Sequence, residues 1–251
     1  MDLELQGKRA IVTGGSRGIG KAIVRRLAIE GADVGVAARD PERIRDTCDE
    51  ISTLTGRLVV GFACDTGDDE SAREMVASLA GTLGGVDILV NAAAMPGGVI
   101  APPKLAELTT DALWDEVNTK VMGYLRCARE VAPLMASEGW GRIINVSGLA
   151  ARQAGSILGS IRNVSVAALS KNLADELGPH GINVTVVHPG ATRTERTSDA
   201  MVASATGNTI GRIVEADEVA DVVAFLASPR SAAITGDAIA CGGGTRGAIR
   251  Y

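Results

Sequence analysis

Aromatic residues are scarce in this chain of 251 residues, since two Phe, two Tyr and two Trp make up only 2% of it. A folded core must therefore be built from Val, Ile, Leu and Ala. The stacking platforms on which single-stranded nucleic acids bind are also missing. Hydrophobic residues nevertheless form 46% of the sequence and charged residues 22%, which favours a folded protein over a disordered one.

Excess positive charge and long apolar runs are lacking as well. The formal net charge is −5 and no basic cluster is present, so nucleic acids and anionic membranes are poor partners. No apolar run approaches the ~20 residues of a membrane-spanning helix. The segment Met1–Gln6 lacks the basic start and apolar stretch of a secretory signal. We expect a soluble cytoplasmic protein whose partner is a small-molecule substrate.

Cysteine and histidine are too few and too scattered to suggest a metal site. The cysteines contain no Cys-x-x-Cys pair, and the two histidines are too far from any two cysteines to complete a zinc site. We therefore expect no metal, and buried reduced cysteines rather than a disulfide framework. The residues concerned are Cys48, Cys64, Cys127, Cys241, His180 and His188.

Short β-branched runs alternate with longer amphipathic stretches along the whole chain, and no linker-like segment interrupts them. This pattern predicts a single α/β domain over residues 1–251, a doubly wound Rossmann fold with a parallel sheet of about seven strands flanked by helices. The predicted strands are Ala10–Thr13, Val34–Ala38, Leu58–Phe62, Ile88–Asn91, Arg142–Val146, Asn183–His188 and Ala238–Cys241.

A glycine-rich turn follows the first of these strands and opens a helix. In the pattern Gly14-x-x-x-Gly18-x-Gly20, one glycine permits a tight turn and one lets backbone N–H groups approach a pyrophosphate. The last lets the helix pack closely against the strand. The helix N-terminus then faces the phosphates with its partial positive charge. The turn predicts a dinucleotide site.

Further segments extend this pattern into a resemblance to the short-chain dehydrogenase/reductase family along essentially the whole chain. They are Cys64-Asp65-Thr66, Asn91–Ala94 in place of the usual Asn-Asn-Ala-Gly, Trp114–Asn118, His188–Thr194, Ile234–Gly236 and Gly242-Gly243. The resemblance implies a nicotinamide cofactor held by Gly14, Ser16, Arg17, Gly18, Ile19, Gly20, Arg39, Asp65, Thr66, Asn91, Pro189, Gly190, Thr192 and Thr194.

The resemblance also has consequences for assembly. Members of this family commonly form tetramers through two helices, which correspond here to Leu105–Ala136 and Ile157–Leu177. We therefore expect a homotetramer or a homodimer.

The charges after the second strand favour NADP(H) over NAD(H). An NAD site typically has a carboxylate there, but this chain has Ala38 followed by Arg39, with Arg17 in the glycine turn. Two guanidinium groups suit the 2′-phosphate of NADP, although both could instead be solvated surface charges. Asp40 could serve NAD, but its place before Pro41 is more typical of a helix cap.

The catalytic half departs from the family. Ordinary members use a serine to orient the substrate oxygen, a tyrosine to pass the proton, a lysine to lower the tyrosine's pKa and an asparagine to anchor a proton-relay water. Alignment from the flanking strand and the helix end puts Gly148 at the serine, Gly159 at the tyrosine and Asn163 at the lysine. Only Asn118, at the asparagine, is retained.

Several polar residues remain as candidates, and a structural alternative stands beside each. Ser147 could replace the missing serine or simply form the turn. Ser160 and Asn163 are predicted about one helical turn apart, where both could hold a ligand oxygen. His188 could act as an acid or base or be a structural histidine. The candidate catalytic residues are Asn118, Ser147, Ser160, Asn163 and His188.

Other polar residues are weaker candidates. Tyr124 is expected to pack, and Tyr251, the last residue, would need a particular oligomer to reach a neighbouring site. Lys120 could supply a missing cation, but helical spacing puts it on a different face from Asn118. Arg152 and Arg162 could bind an anionic substrate, although solvated surface arginine is the commoner role.

Three functions are compatible with these residues. The first is an atypical NADP(H)-dependent oxidoreductase acting on a carbonyl, an alcohol or an activated alkene. The second is a lyase or isomerase on the same scaffold, in which the nucleotide is structural or absent. The third is an inactive nucleotide-binding or regulatory subunit. Since fold alone does not fix a reaction, the retained Pro189–Thr194 segment is what favours the first.

Overall fold

The computed structural model describes residues 1–94, 103–199, 202 and 207–247 of the chain. Within these residues β-branched runs form strands and amphipathic runs form helices. In chain order the strands are β1 (Arg9–Thr13), β2 (Asp33–Ala38), β3 (Val59–Ala63), β4 (Ile88–Asn91), β5 (Gly141–Val146), β6 (Ile182–Pro189), β7 (Thr192–Arg193), β8 (Val214–Glu215) and β9 (Ala238–Cys241).

Helices separate the successive strands β1–β6 and β9, as parallel pairing requires. They are α1 (Gly18–Ile29), α2 (Pro41–Thr55), α3 (Asp69–Leu83), α4 (Thr110–Glu116), α5 (Gly123–Glu138), α6 (Ile157–Leu177) and α7 (Ala216–Ala227). Short 3-10 turns occur at Leu105–Glu107, Leu149–Ala151, Gly178–His180 and Pro229–Ser231.

The main sheet has seven strands in the order β3-β2-β1-β4-β5-β6-β9, while β7 pairs with β8 separately. Every pairing in the main sheet is parallel, so the carboxyl ends of its strands share one edge. The chain winds outward in both directions from β1 and β4, which opens a crevice at that edge. The predicted fold class is confirmed, and each predicted strand end lies within one residue of the observed end. The extent of the domain, 1–251, stays a prediction.

Both faces of the sheet are covered by helices, because consecutive strand residues point to opposite sides. One core lies under α1, α2 and α7 and the other under α3, α5 and α6. The first contains Val12, Val90, Ile144, Ile23, Leu27, Val219 and Val223, and the second contains Ile11, Leu89, Ile143, Met75, Leu79, Val131 and Met135.

Asp40 begins helix α2 as a cap. Its side chain accepts a hydrogen bond from the backbone N–H of Arg43, with 3.2 Å between Oδ1 and N, and Pro41 occupies the first helical turn. The helix-cap interpretation of Asp40 is therefore confirmed, and its carboxylate is already engaged at that helix end.

A π-helical turn, Val117–Met122, joins α4 to α5, so one continuous helix runs from Thr110 to Glu138. Gly123 directly follows this π-helical turn, and a Cβ added to it would come within 3.0 Å of the Cβ of Thr66. The helix thus packs directly on the segment after β3. Such turns shift the helical register by one residue, and both Asn118 and Lys120 lie within this one.

No helix among the described residues has both the length and the apolar character needed to cross a membrane.

Candidate functional site

The glycine turn forms at the end of β1 because only glycine fits it. Gly14 has φ +68°, and a Cβ there would lie 2.8 Å from backbone atoms of Ala92 and Ala93. A Cβ on Gly20 would lie 2.1 Å from the carbonyl oxygen of Gly14. The turn is therefore packed against the segment after β4, with no room for side chains between them.

Hydrogen bonds tie the ends of β1, β2 and β4 together beneath this turn. Thr13 Oγ1 accepts from the N–H groups of Ala92 and Ala93 at 3.2 and 3.3 Å. The N–H of Gly14 donates to the carbonyl of Ala37 at 2.7 Å. The three loops at the crevice thus form one connected rim.

The N-terminus of α1 faces this rim and attracts negative charge. Arg17 precedes the helix in an extended conformation, without a side-chain hydrogen bond to cap it. The N–H of Gly18 donates to the carboxylate of Glu195, with 3.1 Å between N and Oε2. Because a carboxylate oxygen already satisfies this amide, the site has the donor chemistry that a phosphate oxygen needs. The residues present fit a dinucleotide.

The neighbouring residues of the turn are partly buried. Ser16 accepts a hydrogen bond on its carbonyl oxygen from Thr47 Oγ1 at 3.4 Å, which holds the turn against α2. Ile19 packs against the first core.

Arg39 follows β2 at the same edge of the sheet. Its side chain is exposed and forms no ion pair with another described residue. Asp40, next in the chain, caps α2 and pairs with Arg43 at 3.1 Å between Oδ2 and Nε. The charge available at the end of β2 is therefore positive.

Asp65 and Thr66 lie after β3. Asp65 is exposed, and its Oδ1 accepts from the N–H of Gly67 at 2.9 Å, closing a tight turn. Thr66 is buried, and its hydroxyl donates to the carbonyl of Thr119 at 3.4 Å. This pair links the adenine side of the predicted site to the π-helical turn.

Asn91, the last residue of β4, is fully buried. Its Nδ2 donates to Asn145 Oδ1 at 2.9 Å, and Asn145 Nδ2 donates to Ser170 Oγ at 2.8 Å. Its side chain thus ties β4, β5 and α6 together at the carboxyl end of β4.

The segment after β6 lies across the crevice from the glycine turn. A Cβ on Gly190 would come within 2.8 Å of Gly242 Cα, so Pro189-Gly190 packs on the end of β9. Thr192 donates its hydroxyl to the carbonyl of Gly190 at 3.1 Å. Thr194 lies beside Gly18, since a Cβ on that glycine would be 3.4 Å from Thr194 Cγ2. His188 is buried within β6.

Asn118 points away from the residues after β5. Its Nδ2 donates to the carbonyl of Gly67 at 3.0 Å, and its Oδ1 accepts from Arg126 at 2.9 Å. Arg126 also donates to the backbone carbonyl of Asn118 at 3.2 Å. The structure therefore connects Asn118 to the loop after β3 and does not bring it to Ser147 or Asn163.

Lys120 points inward, from the opposite side of the same turn. Only 4% of the residue is exposed. Its Nζ donates to the backbone carbonyl of Ser147 at 2.9 Å and to Asn163 Oδ1 at 3.0 Å. The expected difference in face from Asn118 is observed, but it directs Lys120 to the position assigned to the missing family lysine.

The electrostatic surroundings of Lys120 are unusual for an amine. Burial, and then the positive charge of Arg162, lower its pKa from 10.5 to about 7, while Glu116 acts in the opposite direction. Arg162 and Glu116 form an ion pair whose side chains are only 11% and 19% exposed. The interpretation of Arg162 as a solvated surface residue was wrong.

Ser147 is buried, and its hydroxyl donates to the backbone carbonyl of Asn163 at 3.0 Å. Ser160 is part-exposed and donates its hydroxyl to the carbonyl of Gln153 at 3.2 Å. It lines an open cavity of about 510 Å³ together with Lys104, Leu105, Ser156, Ile157 and Ile161. The structure joins Ser147 and Asn163, while Ser160 contacts other neighbours.

Two other predicted candidates have structural contacts. Tyr124 is buried and donates its hydroxyl to the carbonyl of Val146 at 2.8 Å, as expected of a packing residue, and burial raises its pKa. Arg152 donates to the carbonyl of Ala238 at 2.8 Å. Tyr251 lies outside the described residues.

The metal-binding residue types do not converge in the part of the chain that the structure describes, where no group of three such side chains could hold an ion. The cysteines there are free thiols, and burial raises the pKa of Cys48 to about 11 and of Cys127 to about 12.

Comparison with known proteins gives relatives over most of the chain. The family model described as enoyl-(acyl carrier protein) reductase matches residues 14–246. The short-chain reductase protein NovJ of Streptomyces niveus is 35% identical over 248 residues, covering 94% of this chain and 92% of NovJ. The 3-oxoacyl-[acyl-carrier-protein] reductase FabG of Aquifex aeolicus is 31% identical over 251 residues, covering 97% and 99% of the two chains.

A solved structure is similar over nearly the same extent. It is a short-chain dehydrogenase of Burkholderia cenocepacia in complex with NADP, with a TM-score of 0.86 and 34% identity. The similarity covers 96% of this chain and 98% of that chain.

Proposed function

This chain belongs to the short-chain dehydrogenase/reductase family, and from that membership we propose that it is an NADP(H)-dependent oxidoreductase of a small carbonyl compound or the corresponding alcohol. The observation that carries the proposal is the contact between Gly18 and a carboxylate at the N-terminus of α1. It supports an anion site at the point where the glycine turn would hold the cofactor's pyrophosphate.

The cofactor would be held from both sides of the crevice. Gly14 and Gly18 would approach the pyrophosphate, and Asp65 with Thr66 would adjoin the adenine. On the far side of the crevice, the segment Pro189–Thr194 would lie beside the nicotinamide. When bound, the reduced cofactor supplies a hydride to the carbonyl carbon. The remaining cofactor residues of this proposal are Ser16, Ile19, Gly20 and Asn91.

NADP(H) rather than NAD(H) is supported by the charges after β2. Arg39 is exposed and unpaired among the described residues, whereas the carboxylate of Asp40 is held by the helix that it caps. A guanidinium can contact a ribose 2′-phosphate through charge-assisted hydrogen bonds. Arg17, in the glycine turn, would add a second positive charge. The NADP complex of the similar short-chain dehydrogenase agrees with this proposal.

The active site of the proposed enzyme is atypical. Gly148, Gly159 and Asn163 stand where the resemblance puts the serine, tyrosine and lysine of the family. A carbonyl oxygen that develops negative charge would therefore be met by hydrogen-bond donors of other types, and its proton would come from water. Positioned proton transfer contributes roughly 10²–10⁴ in rate, so we expect a slow enzyme rather than an inactive one.

The proposed assembly is a homodimer or a homotetramer. Large apolar side chains are exposed on α4 and α6, among them Trp114 at 64%, Ile157 at 45% and Val164 at 50%. Such side chains on the helices that the family uses for assembly support the proposal that a second copy covers them.

The proposal is tested by thermal shift with NADPH and with NADH, followed by NADPH oxidation with butane-2,3-dione as the carbonyl probe. We expect NADPH at a hundredfold excess over its Kd to raise Tm by roughly 5–10 °C, and NADH to raise it less. Arg39→Ala should remove the difference, while Arg45→Ala, an exposed residue of α2 paired with Asp46, should keep it.

Other outcomes would favour the other two functions. A shift with NADPH and no turnover of any carbonyl or activated alkene would favour a nucleotide-binding subunit. The absence of a shift with either nucleotide would contradict the proposal and favour chemistry without a nicotinamide.

A further inference from the structure

A buried lysine amine is expensive to place in a protein, so its contacts indicate what it is for. Lys120 Nζ is removed from water and makes two hydrogen bonds, to Ser147 O and to Asn163 Oδ1. A lysine that only joined the end of β5 to α6 would be replaceable by a neutral donor with a far smaller desolvation cost. The charge therefore has a consequence beyond packing.

The amide of Asn163 has a defined orientation because of this contact. The ammonium group of Lys120 can only donate, so Oδ1 faces Lys120 and Nδ2 faces the other way. Nδ2 lies 3.1 Å from the position that a Cβ on Gly148 would occupy, and it is the nearest atom to that position. The structure records no acceptor for Nδ2 among the described residues.

Gly148 gives this amide an open side. It follows Ser147 at the carboxyl edge of the sheet, where the crevice lies. A side chain at this position would contact the amide and cover Nδ2. With glycine there, no side chain of residue 148 covers Nδ2, and this is the position where the resemblance puts the serine that orients the substrate oxygen.

We propose that Asn163 is a catalytic residue that donates a hydrogen bond from Nδ2 to the substrate's carbonyl oxygen, and that Lys120 is the positioning residue that orients and polarises its amide. This inference rests on the proposed carbonyl-reductase function. The amide of Asn163, polarised by the positive charge of Lys120, would stabilise the negative charge that develops on the carbonyl oxygen.

The reaction balances without a change in either residue. The carbonyl carbon receives a hydride from the reduced nicotinamide, the C=O π bond breaks toward oxygen, and that oxygen takes a proton from water. The nicotinamide is oxidised and the carbonyl is reduced to an alcohol. Asn163 keeps its protons throughout and Lys120 contributes only its hydrogen bond and charge.

The charge state of Lys120 should then control the rate. Arg162 and Glu116 are the charged groups that influence it from α6 and α4. With the pKa of Lys120 at about 7, the amine loses its charge as the pH rises through neutrality. The polarised amide becomes a weaker donor in the same range, so kcat should fall there.

The decisive variant is Asn163→Asp, because it keeps the shape of the side chain and gives Lys120 a carboxylate partner. It replaces the Nδ2 donor with an acceptor oxygen and adds one negative charge, which Lys120 offsets. We expect kcat for reduction of butane-2,3-dione to fall about 10²–10³-fold, while the Kd of NADPH changes less than about twofold. A purely structural Asn163 would leave kcat of a folded Asn163→Asp variant near that of the natural protein, which would overturn the inference.

Lys120→Met and Lys171→Met form a matched pair. The first should lower kcat about tenfold and remove its inflection near pH 7. The second changes a lysine of α6 that is 58% exposed and pairs with Asp175, and it should leave kcat and its pH profile unchanged. An inflection retained in Lys120→Met would count against the role of Lys120.

A measurement independent of turnover separates this inference from the proposed function. With 15N-asparagine labelling, the chemical shift of the Asn163 side-chain amide should follow the titration of Lys120 near pH 7 in the natural protein and should show no such change in Lys120→Met. Adding butane-2,3-dione to the NADP⁺ complex should shift the same signal. If NADPH binds but the amide signal responds neither to pH nor to the diketone, the inference is overturned and the cofactor assignment stands. Failure of NADPH to bind would overturn both.

Discussion

The carboxylate of Glu195 accepts a hydrogen bond from the backbone N–H of Gly18, with 3.1 Å between Oε2 and N. These residues lie far apart in the chain, one at the start of α1 and the other just after β7. Their contact spans the crevice, and it puts a negative charge where the proposed cofactor would put its pyrophosphate. Binding of a dinucleotide therefore requires Glu195 to leave this amide.

Replacing Glu195 by Gln should strengthen the binding of NADPH. The neutral amide competes less well for the partial positive charge of the helix N-terminus, and it does not repel the phosphates. Since such contacts contribute about 0.3–1 kcal/mol, we expect Kd to fall about two- to fivefold. Isothermal titration calorimetry at low ionic strength would measure the change.

The control for this prediction is Glu138→Gln. Glu138 is exposed at the end of α5, next to the amino ends of the strands. Its substitution therefore changes the net charge of the protein by the same amount, but at a site far from the crevice. Equal effects of the two substitutions would mean that only overall charge matters.

Gly20 and Gly81 give opposite predictions for the same substitution. A Cβ on Gly20 would overlap the carbonyl oxygen of Gly14, whereas Gly81 lies in α3 with nothing within 4 Å of an added Cβ. Gly20→Ala should therefore lower the free energy of unfolding by about 2 kcal/mol or more and prevent NADPH from raising Tm. Gly81→Ala should increase the free energy of unfolding by about 0.5–1 kcal/mol through helix propensity.

Urea denaturation of both variants measures these changes. A Gly20→Ala variant that folds as stably as the natural protein and binds NADPH normally would show that the close approach of α1 to the turn is not needed.

The sheet and the glycine turn could be predicted from sequence because their signals are local. Alternating hydrophobic runs define strands wherever they occur, and the turn at Gly14 requires a backbone conformation that other residues rarely adopt. The cap at Asp40 was recognisable for the same reason, since its acceptor and its donor lie within one helical turn.

The contacts of Lys120 could not be predicted in this way. Regular helical spacing correctly separates Lys120 from Asn118, but the partners of Lys120 come from β5 and α6, far along the chain. The π-helical turn also shifts the register of the helix that carries Lys120, and no residue type in Val117–Met122 predicts such a turn. Arg162 misleads similarly, because its partner Glu116 is remote in sequence.

Removing only one partner of the Arg162–Glu116 ion pair should destabilise the folded protein strongly. Arg162→Met leaves a carboxylate that is only 19% exposed without its partner, so we expect the free energy of unfolding to fall by about 3 kcal/mol. The double variant Glu116→Leu/Arg162→Met removes both charges and should recover most of the loss. Denaturation curves of the two single variants and the double variant measure the coupling, and additive losses would contradict it.

The low pKa of Lys120 should make the stability of the protein depend on pH. Its pKa is about 7 in the folded protein, below the ordinary 10.5. Between these values the unfolded chain holds a proton that the folded chain has lost, so rising pH stabilises the fold. The free energy of unfolding of the natural protein, minus that of Lys120→Met, should therefore grow by about 2–4 kcal/mol between pH 7 and pH 10.

Urea denaturation at several pH values tests this difference, because the other groups that titrate in this range are common to both proteins and cancel. Lys171→Met supplies the control, since its exposed amine should produce no pH-dependent difference. A difference between natural protein and Lys120→Met that stays constant from pH 7 to pH 10 would mean that the amine keeps its ordinary pKa. Lys120 would then stay charged across this range, and its titration could not cause the predicted fall of kcat near neutral pH.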